Sequence, residues 1–145
     1  MKAILKSLLA ILVGLVSAMV LIVVIQMISS TMHPMPEGLS PENAQAMSEW
    51  VMSLPASAFI LVLASYFIAT FDGVLLACWL APNQPRAHGL VVFALLAAGA
   101  AINLMTITHP GWFVGATVVV YLVAFAMGDW LGRRLHQQRL ARAAV

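Results

Sequence analysis

The sequence predicts an all-α integral membrane protein: a bundle of four transmembrane helices with a short interfacial helix in the first outer loop. The composition is 63% hydrophobic and 8% charged over 145 residues, whereas soluble domains carry about 45–50% apolar and about 25% charged residues. Four apolar segments reach the roughly 20 residues needed to cross a hydrocarbon core about 30 Å thick. They occupy most of the chain, so we expect a single membrane domain over residues 1–145.

Segment one covers about 4–30, and two basic residues, Lys2 and Lys6, stand at its start. A cleaved signal peptide has an apolar region of about 7–15 residues and an A-x-A-like cleavage site. Here the apolar run continues from Leu8 to Ile25 and ends in "QMISS". We therefore predict a retained transmembrane helix.

The outer loop, 31–54, begins with helix breakers and ends with a helical pattern. The breakers are Pro34, Pro36, Gly38 and Pro41. Ser40 followed by Pro41 is typical of an N-cap with proline in the first turn. The stretch "ENAQAMSEWVMSL" then places Ala44, Met47, Val51 and Leu54 on one face. This spacing predicts a short helix lying in the membrane interface.

The other predicted helices cover about 55–81, 88–108 and 111–134, and a basic cytoplasmic tail follows at 135–145. Proline or clustered charge stands at each end: Pro55 opens segment two, "PNQP" closes it, and His109-Pro110 ends segment three. Such residues end helices, so the number of elements is better determined than their boundaries.

The orientation follows from the basic residues. All seven lie on one side of a four-span arrangement: Lys2, Lys6, Arg86, Arg133, Arg134, Arg139 and Arg142. The positive-inside rule therefore places both termini in the cytoplasm. Trp50 and Trp112 then fall at the outer interface, and Trp79 and Trp130 at the inner one, as an aromatic belt requires.

Small residues recur at the spacing that lets membrane helices approach closely. Segment two has a four-residue stripe, Ser65, Ala69, Gly73, Ala77 and Ala81; segment three has "AAGAA" at 97–101; segment four has Gly111/Gly115 and Gly128/Gly132. Packing within the four-helix bundle is the favoured interpretation. The alternative is an interface for a homo-oligomer or for a membrane-protein partner.

Three polar side chains fall inside the predicted spans. Asp72 lies nine residues before the inner end of segment two, about 14 Å deep at 1.5 Å per residue. An acid there costs roughly 2.5–3.5 kcal/mol on insertion scales, so it should face the bundle or be protonated. Tyr121 reaches a similar depth, beside the small residues of segment three. Asp72 either handles a proton or a cation or has a structural role. Asn103 is expected to form a hydrogen bond that holds two helices together.

Two His-Pro pairs, His33-Pro34 and His109-Pro110, stand at the predicted outer surface. With Met32 and Met35 these histidines are candidate ligands for Cu(I), which favours thioether and imidazole. The competing interpretation, which we favour, is that each pair only ends a helix.

No metal site, cofactor or nucleic-acid partner is expected, and the lipid bilayer is the first partner. Cys78 is read as a packing residue, and Asp129 with Arg133 as an interfacial salt bridge.

Several stretches resemble a loose group of small, uncharacterised bacterial four-helix inner-membrane proteins. They are "MHPMPEGLSPENAQAMSEWVMSLPASAFILVLASYFIATFDGVLLACWLA", "HPGWF" and "GDWLGRRL". The resemblance implies a bacterial inner membrane and a four-helix fold. It brings no known activity, and it implies a small residue near the place of Asp72, which argues against a shared catalytic acid.

These observations predict a non-enzymatic integral membrane protein with a structural or accessory role. The alternative is a small-solute or proton-coupled transporter that works as an oligomer around Asp72 and Tyr121. A metal-binding membrane protein using His33 and His109 ranks last, because the sequence shows no nucleophile or acid–base constellation.

Overall fold

The computed structural model describes residues 2–143, apart from the side chain of Lys2, and these residues form five α-helices and no strand. The helices are α1 (Lys2–Met32), α2 (Ala44–Ser53), α3 (Ala56–Leu80), α4 (Pro85–Thr106) and α5 (Gly111–Ala143). All except α2 are long and apolar enough to cross a membrane. The predicted all-helical fold, with four helices able to span a membrane, is therefore confirmed.

Helix α3 is the centre of the bundle. It contacts α1, α4 and α5, and α4 also contacts α1 and α5. Helices α1 and α4 run antiparallel to α3, and α5 runs parallel to it. One end of the bundle, the termini end, holds the starts of α1 and α4 and the ends of α3 and α5. The opposite end, the α2 end, holds α2.

Close helix contacts depend on glycine and alanine, as the small-residue patterns predict. The stripe residues are all buried: Ser65, Ala69, Gly73 and Ala77 in α3, and Ala81 directly after it. A Cβ at Gly73 would lie 2.8 Å from the carbonyl oxygen of Gly14 in α1, and one at Gly132 would lie 2.6 Å from Cβ of Cys78. Helix α3 therefore uses its small residues to seat both α1 and α5.

The two GxxxG pairs of α5 differ. Gly128 and Gly132 pack against α3, whereas a Cβ at Gly111 or Gly115 would have nothing within 4 Å. The bundle interpretation therefore holds for the pair near the termini end. The pair near the α2 end takes no part in packing within the described chain.

Helix α5 continues past the predicted end at 134 to Ala143, so most of the predicted tail is helical. Two of its side chains approach carbonyl oxygens at the C-terminal end of α3. Arg139 Nη2 donates to the carbonyl oxygen of Ala81 at 2.9 Å, and Nδ1 of His136 lies 3.5 Å from that of Trp79. Basic groups at a helix C-terminus satisfy unpaired carbonyls and oppose the helix dipole, so these contacts explain why the helix extends.

The first connection contains the predicted short helix, but it starts later than predicted. Helix α2 begins after Asn43, whose Oδ1 accepts a 3.1 Å hydrogen bond from the backbone N–H of Ala46. The prediction of Ser40 as the N-cap is wrong. Its hydroxyl instead accepts from the N–H of Glu42 at 3.3 Å, which makes a turn before the helix.

Candidate functional site: a cavity at the α2 end

A cavity with a volume of about 400 Å³ lies at the α2 end. We call it the α2-end cavity. All five helices or their connections contribute to its lining, including His33 after α1, Trp50 of α2, Tyr66 of α3, Asn103 of α4 and Phe113 of α5. Small-molecule sites usually measure about 300–1,000 Å³ and combine an apolar lining with a few polar groups. This cavity has that character.

The structure brings the two predicted histidines to the same cavity, since His33 and His109 both line it. Nε2 of His33 lies 3.4 Å from the hydroxyl of Ser57, while its Nδ1 is buried without a hydrogen-bond partner among residues 2–143. Nδ1 of His109 lies 2.7 Å from the carbonyl oxygen of Ile107. A nitrogen that close to a carbonyl carries the proton, so Nε2 of a neutral His109 is an acceptor.

The deep end of the cavity is formed by Tyr66 and Asn103. Tyr66 lies ten residues into α3, roughly 15 Å from its start at 1.5 Å per residue. Asn103 Nδ2 donates to the Tyr66 hydroxyl at 3.4 Å. The structure therefore gives Asn103 the interhelical hydrogen bond that was predicted for it.

Helix α2 lies across the end of the cavity and contributes Trp50 and Val51 to its lining. Of the predicted apolar face, Val51 is buried, Met47 and Leu54 are half-buried, and Ala44 is exposed. The hydroxyl of Ser48 accepts a 3.0 Å hydrogen bond from the backbone N–H of Thr108, in the connection between α4 and α5. This bond attaches the helix to the far side of the opening.

The predicted pair of Asp72 and Tyr121 is not brought together by any hydrogen bond in residues 2–143. The Ser17 hydroxyl donates to Oδ2 of Asp72 at 2.6 Å, between α1 and α3. The Tyr121 hydroxyl donates to the carbonyl oxygen of Leu96 in α4 at 3.3 Å. Asp72 is thus held at the α1–α3 contact, and Tyr121 at the α4–α5 contact.

A second cavity of about 180 Å³ lies between α4 and α5. Ala97, Ala100 and Tyr121 contribute to its lining, and Asp72 does not. Small residues of segment three therefore border this space together with Tyr121. Asp72, the predicted partner of Tyr121, lies outside it.

The predicted pair of Asp129 and Arg133 forms at the termini end, but the carboxylate is far less exposed than an interfacial salt bridge suggests. Arg133 Nε and Nη2 each lie 3.0 Å from Oδ2 of Asp129, whose side chain is only 7% exposed. Arg86 approaches the same oxygen at 4.0 Å. The thiol of Cys78 lies 3.9 Å from Oδ1, so this cysteine is buried beside the ion pair.

The α2 end offers few side chains that could bind a metal ion. Within residues 2–143, no group of three or more His, Cys, Asp or Glu side chains could hold a metal ion. Of the predicted thioether ligands, Met35 lines the α2-end cavity, while Met32 is 61% exposed and is not part of its lining.

Sequence reasoning missed several groups at these sites. Tyr66 looked like one more aromatic residue in an apolar helix, and Ser17 like one more small residue in segment one. A usable signal was available for Tyr66, because an amide predicted to need a partner should be matched to hydroxyls on neighbouring helices. Ser57 and Phe59 offered no such signal.

Comparison with models of protein families, with curated proteins and with solved structures finds no match to this chain.

Proposed function

We propose that this protein is a non-enzymatic, accessory integral membrane protein that holds a small amphiphilic molecule in the α2-end cavity. The observation that carries the proposal is the cavity itself. It measures about 400 Å³, every helix contributes to it, and it gathers apolar side chains around a few buried polar groups. A site of this kind favours binding. The Ser57 hydroxyl lies 3.4 Å from Nε2 of His33, but among residues 2–143 no group bonds to Nδ1 to orient the ring, as a catalytic Ser–His pair would need.

We place the protein in a bacterial inner membrane as a multi-pass protein with both termini in the cytoplasm. The described basic side chains support this. Arg86 lies at the start of α4, and Arg133 and Arg139 lie in the last part of α5, and these two helix ends meet at the termini end. Trp79 and Trp130 are exposed at the same end, and Trp112 at the other. In this orientation the α2-end cavity faces the outer compartment.

The test is native mass spectrometry of protein purified from membranes in mild detergent. We expect wild-type protein to carry a bound small molecule and Ala58→Trp to lose it, because Ala58 is buried in the cavity lining. The matched control is Ala98→Trp, at an exposed position of α4. Val62→Phe is a milder second variant should Ala58→Trp fail to fold. Wild-type protein without a bound molecule, or equal retention in all variants, would refute the proposal.

The second candidate is the proton-coupled or small-solute transporter around Asp72. It is favoured by the partial exposure of this acid within a membrane-spanning helix, with the bond from Ser17 as its one hydrogen bond among the described residues. An acid so placed is a functional candidate by default. Asp72→Asn should then abolish pH-dependent flux in proteoliposomes, and unchanged flux would eliminate this candidate.

A further inference from the structure

The buried hydroxyl of Tyr66 has an unused proton. Tyr66 is 6% exposed, and its oxygen accepts from Asn103 Nδ2. Among residues 2–143 no acceptor receives its own O–H. The second tyrosine is different, because the Tyr121 hydroxyl donates to the carbonyl oxygen of Leu96 at 3.3 Å. The two buried phenol rings are in contact, with centroids 5.5 Å apart. Of their two O–H groups, that of Tyr121 has an acceptor among the described residues.

A buried donor without an acceptor costs about 1–3 kcal/mol. Tyr66 lines the α2-end cavity, so the missing acceptor has to come from what occupies it. The hydrogen bond from Asn103 uses the phenol oxygen as acceptor and polarises the O–H bond, which strengthens the phenol as a donor. The deep end of the cavity therefore favours a ligand that places an acceptor oxygen beside the Tyr66 hydroxyl.

The middle of the cavity is apolar and favours an apolar part of a ligand. Phe59, Val62 and Phe113 line it, and the rings of Phe59 and Phe113 lie 5.1 Å apart between centroids. Aromatic and aliphatic walls of this kind favour flat, unsaturated groups, which gain from ring contacts as well as from burial. A hydrated or ionic solute would lose its water here without replacement.

The opening of the cavity is polar. Nδ1 of His33 is buried without a partner, and Gln26 and Ser30 are exposed lining residues near the end of α1. The cavity therefore reaches the surface beside α1, at the level where a membrane-dissolved molecule meets the aqueous phase.

We propose that the α2-end cavity binds a lipid-soluble carbonyl compound of the quinone type, with one ring carbonyl accepting the hydrogen bond from Tyr66. This inference rests on the proposed function and specifies its ligand class. The ring lies among Phe59, Val62 and Phe113, and a second oxygen or the tail reaches towards His33. A phospholipid acyl chain fits the apolar walls less well, because its methyl end would leave the Tyr66 donor unpaired.

The experiment measures saturable quenching of tryptophan fluorescence by a short-chain benzoquinone, with protein in nanodiscs. Trp50 lines the cavity and is the reporter. We expect Tyr66→Phe to weaken binding about tenfold, the effect of losing one hydrogen bond of roughly 1–1.5 kcal/mol. Tyr121→Phe removes the same atom from the neighbouring ring and should leave the affinity unchanged. Trp50→Phe combined with Trp112→Phe should remove most of the saturable quenching, because the Trp112 ring lies 5.6 Å from that of Phe59 in the lining. Trp130→Phe at the termini end should not.

An alkylbenzene with the same side chain but no carbonyl provides the second comparison, as a competitor of the quinone. We expect it to compete weakly and equally well in wild type and Tyr66→Phe, because it has no acceptor to lose. Equal quinone affinity in wild type and Tyr66→Phe would overturn the inference, as would quenching unaffected by the combined loss of Trp50 and Trp112.

The two proposals can fail separately. If the benzoquinone does not bind but Ala58→Trp still displaces a co-purified molecule, the ligand class is wrong and the cavity function stands. If no molecule co-purifies with wild type and the benzoquinone does not bind, both proposals are wrong. A co-purified phospholipid alone, retained in Tyr66→Phe, would also contradict the carbonyl assignment.

Discussion

The hydroxyl of Ser17 in α1 donates a 2.6 Å hydrogen bond to Oδ2 of Asp72 in α3. This bond joins the first helix to the central helix near the middle of both, close to the contact between Gly14 and Gly73. The glycines bring the two backbones together, and the polar pair gives the contact a fixed register. Asp72, which the sequence offered as a candidate proton- or cation-handling group, thereby takes part in the helix packing.

We expect the Ser17–Asp72 pair to contribute about 0.6–1.7 kcal/mol of coupling energy, the range measured for hydrogen bonds between membrane helices. The measurement is a double-mutant cycle with Ser17→Ala and Asp72→Ala, followed by unfolding in mixed micelles. Ser30→Ala is the control, because its hydroxyl bonds only to the backbone of its own helix. A coupling energy of zero would show that the pair does not hold α1 in place.

The two glycine pairs of α5 should respond oppositely to alanine. Gly132→Ala places a Cβ 2.6 Å from Cβ of Cys78 and 2.7 Å from the carbonyl oxygen of Leu75, and overpacking of this kind costs about 1–3 kcal/mol. Gly115→Ala meets no atom within 4 Å, so it should be neutral or stabilising by up to about 1 kcal/mol. Unfolding free energies of the two variants test this, and an equal loss in both would contradict the packing described here.

The ion pair at the termini end should be worth more than its sequence spacing suggests. Asp129→Asn leaves Arg133 without its counter-charge, and we expect a loss of about 1–3 kcal/mol of unfolding free energy. Arg86→Gln should cost less than about 1 kcal/mol, because this arginine lies 4.0 Å from the carboxylate and its side chain is 66% exposed. A larger loss for Arg86→Gln than for Asp129→Asn would reverse the assignment of partners.

Ser48 should control how firmly α2 covers the cavity. Ser48→Ala removes the acceptor for the backbone N–H of Thr108. We expect faster amide hydrogen exchange in residues 44–53 and an unchanged global unfolding free energy, because local opening draws on few contacts. Ser53→Ala is the control, since that hydroxyl donates only to the carbonyl of Trp50. Unchanged exchange in α2 would mean that other contacts hold the helix.

Hydropathy was enough to predict four spans, because each must carry about 20 apolar residues whatever it packs against. Boundaries set by tertiary contacts were not predictable in the same way. The basic stretch after 134 reads as a solvated tail, and it becomes helix where Arg139 and His136 meet the end of α3. Likewise, the choice of Asn43 over Ser40 as the N-cap depends on where α2 has to lie.

The site was predictable only in outline. The two His-Pro pairs were expected on one surface, and both histidines line one cavity. The cavity itself depends on how far α4 and α5 stand from α1 at that end, which no spacing within a single helix encodes. For the same reason Gly111/Gly115 and Gly128/Gly132 look alike in sequence, although only the second pair is packed.

The central claim is that a four-span bundle presents the α2-end cavity on the membrane face opposite to its termini. Single cysteines at Glu42 and Arg142, in a Cys78→Ala background, test it with a membrane-impermeant maleimide on intact cells. We expect the cysteine at 42 to be labelled from outside and the one at 142 only after the cells are opened. Labelling of both from the same side would contradict the claim.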